Sequence, residues 1–343
     1  MQGLRHPDPI MSSAKLRSQT RTAWADFWSH GASRSDHRFR DAGTAGVLRE
    51  HWNNVFATRF EPGAKVSVLD AACGEGALLR AARDCAEAVE DVSLDLHCTD
   101  IAPAAVRAAA ASVGDDLPVA PIVADGAALP YADESFDCVV SQFGLEYAGL
   151  DAFADAARVT AQTGAFSALV HRGGGAIEVE CRANLVLLDA VRDAGLLRSL
   201  ERLSSLAARQ AAGKLAPAAL TRAVERFQAS AAAVGEALRA AQPGAARTLI
   251  ERLWRDCSTA AARVGLYGVG ELEAWLAAHA MELDAYAHRM RSMIEAACDE
   301  AEMAEIARGL DAFGLTSVVI GEVRASDGAP ALAWSVTASV DAG

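Results

Sequence analysis

Basic residues are in short supply in this chain of 343. Its 32 Lys and Arg stand against 45 Asp and Glu, a formal charge of −13. A surface so poor in positive charge lacks the footprint that nucleic acid or an anionic membrane needs, so neither is expected as the main partner. Aromatic residues are few, and alanine dominates an apolar fraction just over one half, which suits a helix-rich soluble protein. The seven cysteines (73, 85, 98, 138, 181, 257 and 298) are scattered, odd in number and never spaced C-x-x-C. That excludes a disulfide framework and a zinc site as expectations, leaves no metal centre to expect, and points to reduced thiols in the cytoplasm. No apolar run reaches the length of a membrane span. Residues 1–21 hold basic residues but no apolar core of a signal peptide, and read as a disordered lead-in.

What is present is a strand, a glycine turn and a helix in close succession, from Lys65 to Ala82. Val66-Ser67-Val68-Leu69 suits a buried parallel strand, and Asp70 ends it. The turn Ala71-Ala72-Cys73-Gly74-Glu75-Gly76 then leads into Ala77 to Ala82, all strong helix formers. This order brings a loop and a helix N-terminus up to a ligand in a doubly wound α/β fold. A dinucleotide fingerprint would place a third glycine where Leu79 stands, which counts against an NAD(P)-dependent oxidoreductase.

Strands alternate with helices through residue 171: 93–100, 118–124, 135–141 and 165–170 read as strands, with helices near 103–111 and 151–161. That spacing means a parallel sheet with right-handed crossovers. From 182 to about 309 only helical periodicity is found, with breaks at 213–217 and 242–244. Strand character returns at 316–323 and 332–338, joined as a hairpin through Ser326 to Pro330. Upstream, Trp24, Phe27 and Trp28 form one helical face and Leu48, Trp52, Val55 and Phe56 another; the loop between them, 31–43, is a candidate lid.

The string LDAACGEGALL resembles motif I of the class I S-adenosylmethionine-dependent methyltransferases, an apolar strand followed by D-x-x-C/G-G-x-G. Leu129 to Asp137, LPYADESFD, resembles that family's LPF-x-D-x-S-F-D stretch. Gln142-Phe143-Gly144-Leu145 resembles the FGL signature of its small-molecule members, those of type 11 and type 25, rather than the N/D-P-P-Y of nucleic-acid enzymes. The resemblance covers residues 64–171 well, the end of the chain fairly, and 181–270 not at all. It implies a seven-stranded Rossmann-like sheet with the last strand antiparallel and a large helical insertion between strands five and six. The expected division is 1–21, a methyltransferase core over 22–180 with its N-terminal helices, a helical insertion or cap over 181–270, and core completion over 271–343.

The resemblance also implies S-adenosylmethionine as cofactor, S-adenosylhomocysteine as product, and a cofactor site. Asp70 and the backbone of Ala72, Gly74 and Gly76 would take the amino-acid end. Asp100, ending the second strand, would accept the ribose diol, because a carboxylate can take two O–H bonds. Ile101 would lie on the adenine, Asp125 and Gly126 would clamp its edge, and Gln142 and Phe143 would face the methyl group. Methyl transfer is an in-line displacement, where alignment alone can supply about 7–11 kcal/mol. A base is needed only when the acceptor is protonated. His171 and Tyr147 are the catalytic candidates, with Glu146, His30, His37 and His51 behind them. The expectation is methyl transfer to a small-molecule acceptor, at O, N or C, with the insertion facing the substrate or else forming a homodimer. A non-catalytic cofactor binder is the alternative. Within the helical stretch, His279, Met290 and Met293 read as core.

Overall fold

A computed structural model describes residues 24, 42–214 and 216–340. The chain forms two compact units: among the described residues, one holds 24, 42–177 and 296–340, the other 178–295. The first is built on a seven-stranded sheet: β1 (Lys65–Ala71), β2 (Ser93–Asp100), β3 (Val119–Val123), β4 (Phe136–Gln142), β5 (Thr160–His171), β6 (Ser317–Arg324) and β7 (Ala331–Ser339). Their order is β3-β2-β1-β4-β5-β7-β6, the doubly wound arrangement expected. β1 runs parallel to β2, with Ala71 opposite Thr99, and to β4, with Asp70 opposite Val140. β7 lies between β5 and β6, antiparallel to both.

Alternation along the strands divides the core between the two faces of this sheet. Val68, Cys138 and Val140 face one apolar cluster with Trp52 and Phe56 of α1 (Ala42–Ala57) and Leu79 of α2 (Ala77–Ala86). Leu69, Val139 and Phe166 face the other, with Phe153 of α4 (Asp151–Val159) and Ile306 of α10 (Glu300–Ala312). Cover on both sides explains why the end of β1 is buried without a break. The helix α3 (Pro103–Ala111) starts with proline at its first turn, where the missing N–H costs nothing.

β5 begins at Thr160, five residues before the expected start, and α4 ends at Val159 rather than 161. The added residues Thr160 to Gly164 pair through an irregularity between Phe136 and Cys138. A side chain on Gly164 would stand 2.8 Å from the Asp137 carbonyl, so the polar, glycine-ended segment is shaped by its neighbour rather than by strand propensity.

The second unit is helical: α5 (Ala176–Ala194, from Glu178 onward), α6 (Leu196–Ala211), α7 (Pro217–Ala240), α8 (Ala245–Ala262) and α9 (Val269–Ala296). Leu200, Leu203, Val234, Ile250 and Cys257 fill its core. It ends at Glu295 where the sequence reading ended it at 270, because α9 runs unbroken through that position. Met290 is buried and Met293 partly so, whereas His279 is half-buried, stacks edge-on with Trp275 and meets Glu282 at 3.0 Å. Arg289 is buried over the Tyr286 ring, and burial lowers its pKa to about 10. On re-entering the core, the chain starts α10 with a capping box in which Asp299 accepts from Ala301 and Glu302, and Glu302 reaches back.

Phe166 is fully buried at the centre of β5. Its replacement by alanine should cost about 3–5 kcal/mol, read as a fall in the urea midpoint of unfolding.

Candidate functional site

The strand order reverses between β1 and β4, and in open α/β sheets the carboxyl ends of the strands beside such a reversal form the ligand crevice. β1 delivers Asp70 there, 1% exposed, with Oδ2 unbonded among the described residues. Burial raises its pKa well above the usual carboxylate range; Cys98 and Asp100 add to the rise and Arg80 opposes it. The hydroxyls of Thr99 and Ser141 are likewise buried without a partner among the described residues. Thr99 stands opposite Ala71, and Ser141 follows the Val140 that faces Asp70. Three buried polar atoms without partners, side by side at the ends of three strands, leave a costly deficit that a polar ligand would meet.

After Asp70 the backbone turns through left-handed conformations at Ala72 (φ 58°), Gly74 (φ 51°) and Gly76 (φ 75°). The Cys73 N–H donates to the Thr99 carbonyl at 2.9 Å and fixes the turn to β2. Beneath it the Cys73 and Cys98 thiols interact; that hydrogen bond, then burial, keeps Cys73 protonated. At Gly76 a side chain would meet Ser112 Oγ at 2.5 Å and the Ala109 Cα at 2.8 Å. This glycine is therefore required where the turn packs against α3, as well as by its left-handed backbone.

Asp100 closes the turn from the other side. Its Oδ2 accepts the Gly74 N–H at 3.0 Å and its Oδ1 the Ala102 N–H at 2.9 Å. Burial raises its pKa, against the pull of backbone donors from Ala102, Gly74 and Ile101. Each oxygen keeps a further lone pair for a ligand hydroxyl. The Ala124 N–H bonds the Asp100 carbonyl, which brings the end of β3 alongside; Asp125 Oδ1 then accepts from Ala127 at 3.1 Å in a tight turn. Gly126 follows it, and a side chain there would meet Leu145 at 3.1 Å.

The end of β4 completes the arrangement. Gln142 Oε1 accepts the Trp52 indole N–H at 2.6 Å, a link across ninety positions that no local pattern reveals. Phe143 is left-handed (φ 54°), and its N–H bonds the Leu169 carbonyl. A side chain on Gly144 would stand 2.5 Å from the Ala72 Cβ, so the turns after β1 and β4 touch. The short 3₁₀ segment Leu145–Ala148 buries Glu146, whose Oε1 accepts both the His171 backbone N–H at 3.0 Å and His171 Nδ1 at 2.6 Å. The His171 ring lies 4.6 Å from Phe143 and 5.7 Å from Tyr147, and Tyr147 meets Trp24 edge-on at 5.2 Å.

The residues expected from sequence thus form two adjoining groups. Asp70, Ala72, Gly74, Gly76, Asp100, Ile101, Asp125 and Gly126 lie on the ends of β1 to β3 and the turns after them; Gln142, Phe143, Tyr147 and His171 end β4 and β5. His51 sits on α1 beside Trp52, its pKa lowered by burial and its Nε2 unbonded among the described residues. His30, His37, Phe27, Trp28 and residues 31–41 of the expected lid lie outside the described residues.

A doubly wound sheet with acids ending β1, β2 and the segment after β3 defines a nucleotide-type cofactor fold. Residues 68–164 match the family model described as a methyltransferase domain. That match is consistent with the class I S-adenosylmethionine-dependent methyltransferases that the sequence resembles. No curated protein matches the chain. Among solved structures, one similar chain is that assigned as a methyltransferase in complex with the Haloferax volcanii Trm112 methyltransferase activator: 26% identity, 43% of this chain and 60% of that one, TM-score 0.32. Another is a SAM-dependent methyltransferase from Aquifex aeolicus, with 18% identity, 36% and 64% covered, and TM-score 0.30. A third is the Haemonchus contortus phosphoethanolamine N-methyltransferase 1 with phosphoethanolamine and S-adenosylhomocysteine, with 14% identity, 48% and 34% covered, and TM-score 0.35. The chain spans less than two thirds of each of these relatives.

The chemistry of the residues present fits S-adenosylmethionine: the unpartnered Asp70 oxygen would suit its ammonium, and the spare lone pairs of Asp100 would suit its diol. The raised pKa of Asp70 means the folded state holds this proton more tightly than the unfolded chain. Stability is therefore lost as pH rises from the ordinary carboxylate range through the raised value. Asp70→Asn should raise the melting temperature at pH 7 and flatten its pH dependence, while weakening S-adenosylhomocysteine binding at least tenfold. Thermal unfolding with and without that ligand checks both halves.

Proposed function

We propose that this protein transfers the methyl group of S-adenosylmethionine to a small-molecule acceptor. The observation that carries the reading is the buried, unpartnered Asp70 carboxylate oxygen beside a left-handed glycine turn that Asp100 holds in place. In this assignment Asp70 and the Ala72–Gly76 backbone hold the amino-acid end, and Asp100 holds the ribose. Ile101, Asp125 and Gly126 hold the adenine, and Gln142 and Phe143 line the methyl side. When bound, the cofactor supplies a methyl carbon on a positive sulfur, ready to pass to a nucleophile as the carbon–sulfur bond breaks. The protein's part is to align the acceptor, exclude water and manage its proton, with His171 and Tyr147 as the catalytic side chains.

The long helical segment is assigned to acceptor binding. The core chain leaves after His171 and returns at Cys298, whose N–H bonds the His171 carbonyl at 2.8 Å. Gly173 in turn donates to the Cys298 carbonyl, so the two places where the core chain breaks off and resumes are tied to each other. Pairing of two copies through this segment is the alternative role. No helix among the described residues is long and apolar enough to cross a membrane. The acidic charge supports a reading without nucleic acid, and the scattered free cysteines support one in the cytoplasm.

Calorimetric titration tests the assignment. Wild type should bind S-adenosylhomocysteine and S-adenosylmethionine, and Asp100→Ala and Gly74→Val should each bind at least tenfold more weakly, a loss of about 1.4 kcal/mol or more. Folded wild type that binds neither ligand would contradict the proposal.

A further inference from the structure

The two edges of the sheet are finished differently. β3, at one end of the strand order, is short and carries Pro121 at its centre, and proline has no N–H to offer an approaching strand. β6, at the other end, pairs only with β7 among the described strands, in a regular register from Ser317 to Val323. Its sequence, SVVIGEVR, has neither proline nor lysine, the usual guards of an edge. Its two charges are taken up within the chain: Glu322 meets Arg172 at 2.7 Å and also Arg324, and Arg324 donates to the Ala329 carbonyl. What the strand shows outward is apolar, with Val319 62% exposed and Ile320 36%. Phe313 and Val340, also exposed, line a shallow hollow with Leu315 beside the start of β6 and extend that apolar surface.

We propose that β6 is a pairing edge for a second copy of this chain, joined antiparallel about a two-fold axis so that the two sheets run on as one. A copy fits this edge better than an unrelated extended segment does. Two-fold pairing lays the outer N–H and C=O row of each strand against its own equivalent, so both edges are met at once. With Val319 opposite Val319, Ser317 meets Gly321 on the same face and Val318 meets Ile320 on the other. Every central pair is then apolar or small, and no like charges stand opposite each other. Charge points the same way: two chains of −13 repel, so they can meet only where the surface is locally neutral, as it is where Arg172 and Arg324 hold Glu322. The proline-bearing edge at β3 closes the assembly at two copies and keeps it from growing into a fibre. This inference does not rest on the methyltransferase reading.

The test is sedimentation velocity of the full chain across the micromolar range, with reductant present so that thiols take no part. Wild type should reach twice the mass of the chain within that range. Val319→Lys sets a cation opposite its own copy and should weaken association about a hundredfold, the scale of like charges brought face to face. Val319→Thr, which keeps the branched shape and adds no charge, should still pair. At the lowest concentration, where the copies are separate, both variants should melt like wild type, which shows that the fold is kept. Opposed residues of an antiparallel pair bring their Cβ atoms to about 4.5–5.5 Å, so Val319→Cys under mild oxidation should link two copies through residue 319, and wild type should not link. Wild type that stays monomeric at every concentration overturns the proposal, whatever other extended segment the edge accepts. A dimer that Val319→Lys leaves intact pairs through another surface, the helical segment included, and overturns it too. A Val319→Cys dimer that does not link contradicts the register, and with it the proposal.

Discussion

The site depends on one carboxylate used as a brace. Asp100 ends β2, is almost buried, and spends an oxygen each on the amides of Gly74 and Ala102. Without that brace the turn after β1 has few other ties to its neighbours: the Cys73 amide reaches the Thr99 carbonyl, and Gly76 packs on α3. Charge-assisted bonds of this kind are among the stronger ones available to a protein. Here they hold three left-handed residues in place, Ala72 among them, a conformation that a non-glycine residue adopts at a cost. The turn in turn meets Gly144, so the ends of β1 and β4 are shaped as one piece.

The same region carries three buried polar groups left unsatisfied among the described residues. Asp70, Thr99 and Ser141 are each buried at a strand end with an oxygen that finds no partner among the described residues. A core selected for stability alone would replace them with apolar side chains. Their presence where the strand order reverses is what a site built for a polar, partly cationic ligand requires. The Glu146–His171 pair shows the opposite economy: one carboxylate oxygen meets both the His171 backbone N–H and its Nδ1.

Much of this was legible in the sequence because the signals are local. The strand Ser93–Asp100 was read with its observed bounds, since apolar alternation and a terminal acid mark it without help from elsewhere. The breaks at 213–217 and 242–244 separate helices because glycine and proline act on the backbone where they stand. The illegible parts all involve distant partners. Thr160 to Gly164 become strand only because Phe136 and Asp137 lie alongside. Gln142 finds Trp52 ninety positions away, and His171 finds Glu146 twenty-five away, pairings that no local pattern reveals. The helical segment ended later than expected because nothing at residue 270 stops α9.

The central claim is that the ligand sits on the turns after β1 to β4. Hydrogen–deuterium exchange with and without S-adenosylhomocysteine tests it most directly, because it reports every amide and needs no acceptor. The account predicts slowed exchange in peptides covering 70–76, 99–103, 124–128 and 141–147, while the hairpin of β6 and β7 is unchanged. Unaltered exchange in the first two of these segments, under conditions that saturate the protein with ligand, would contradict it.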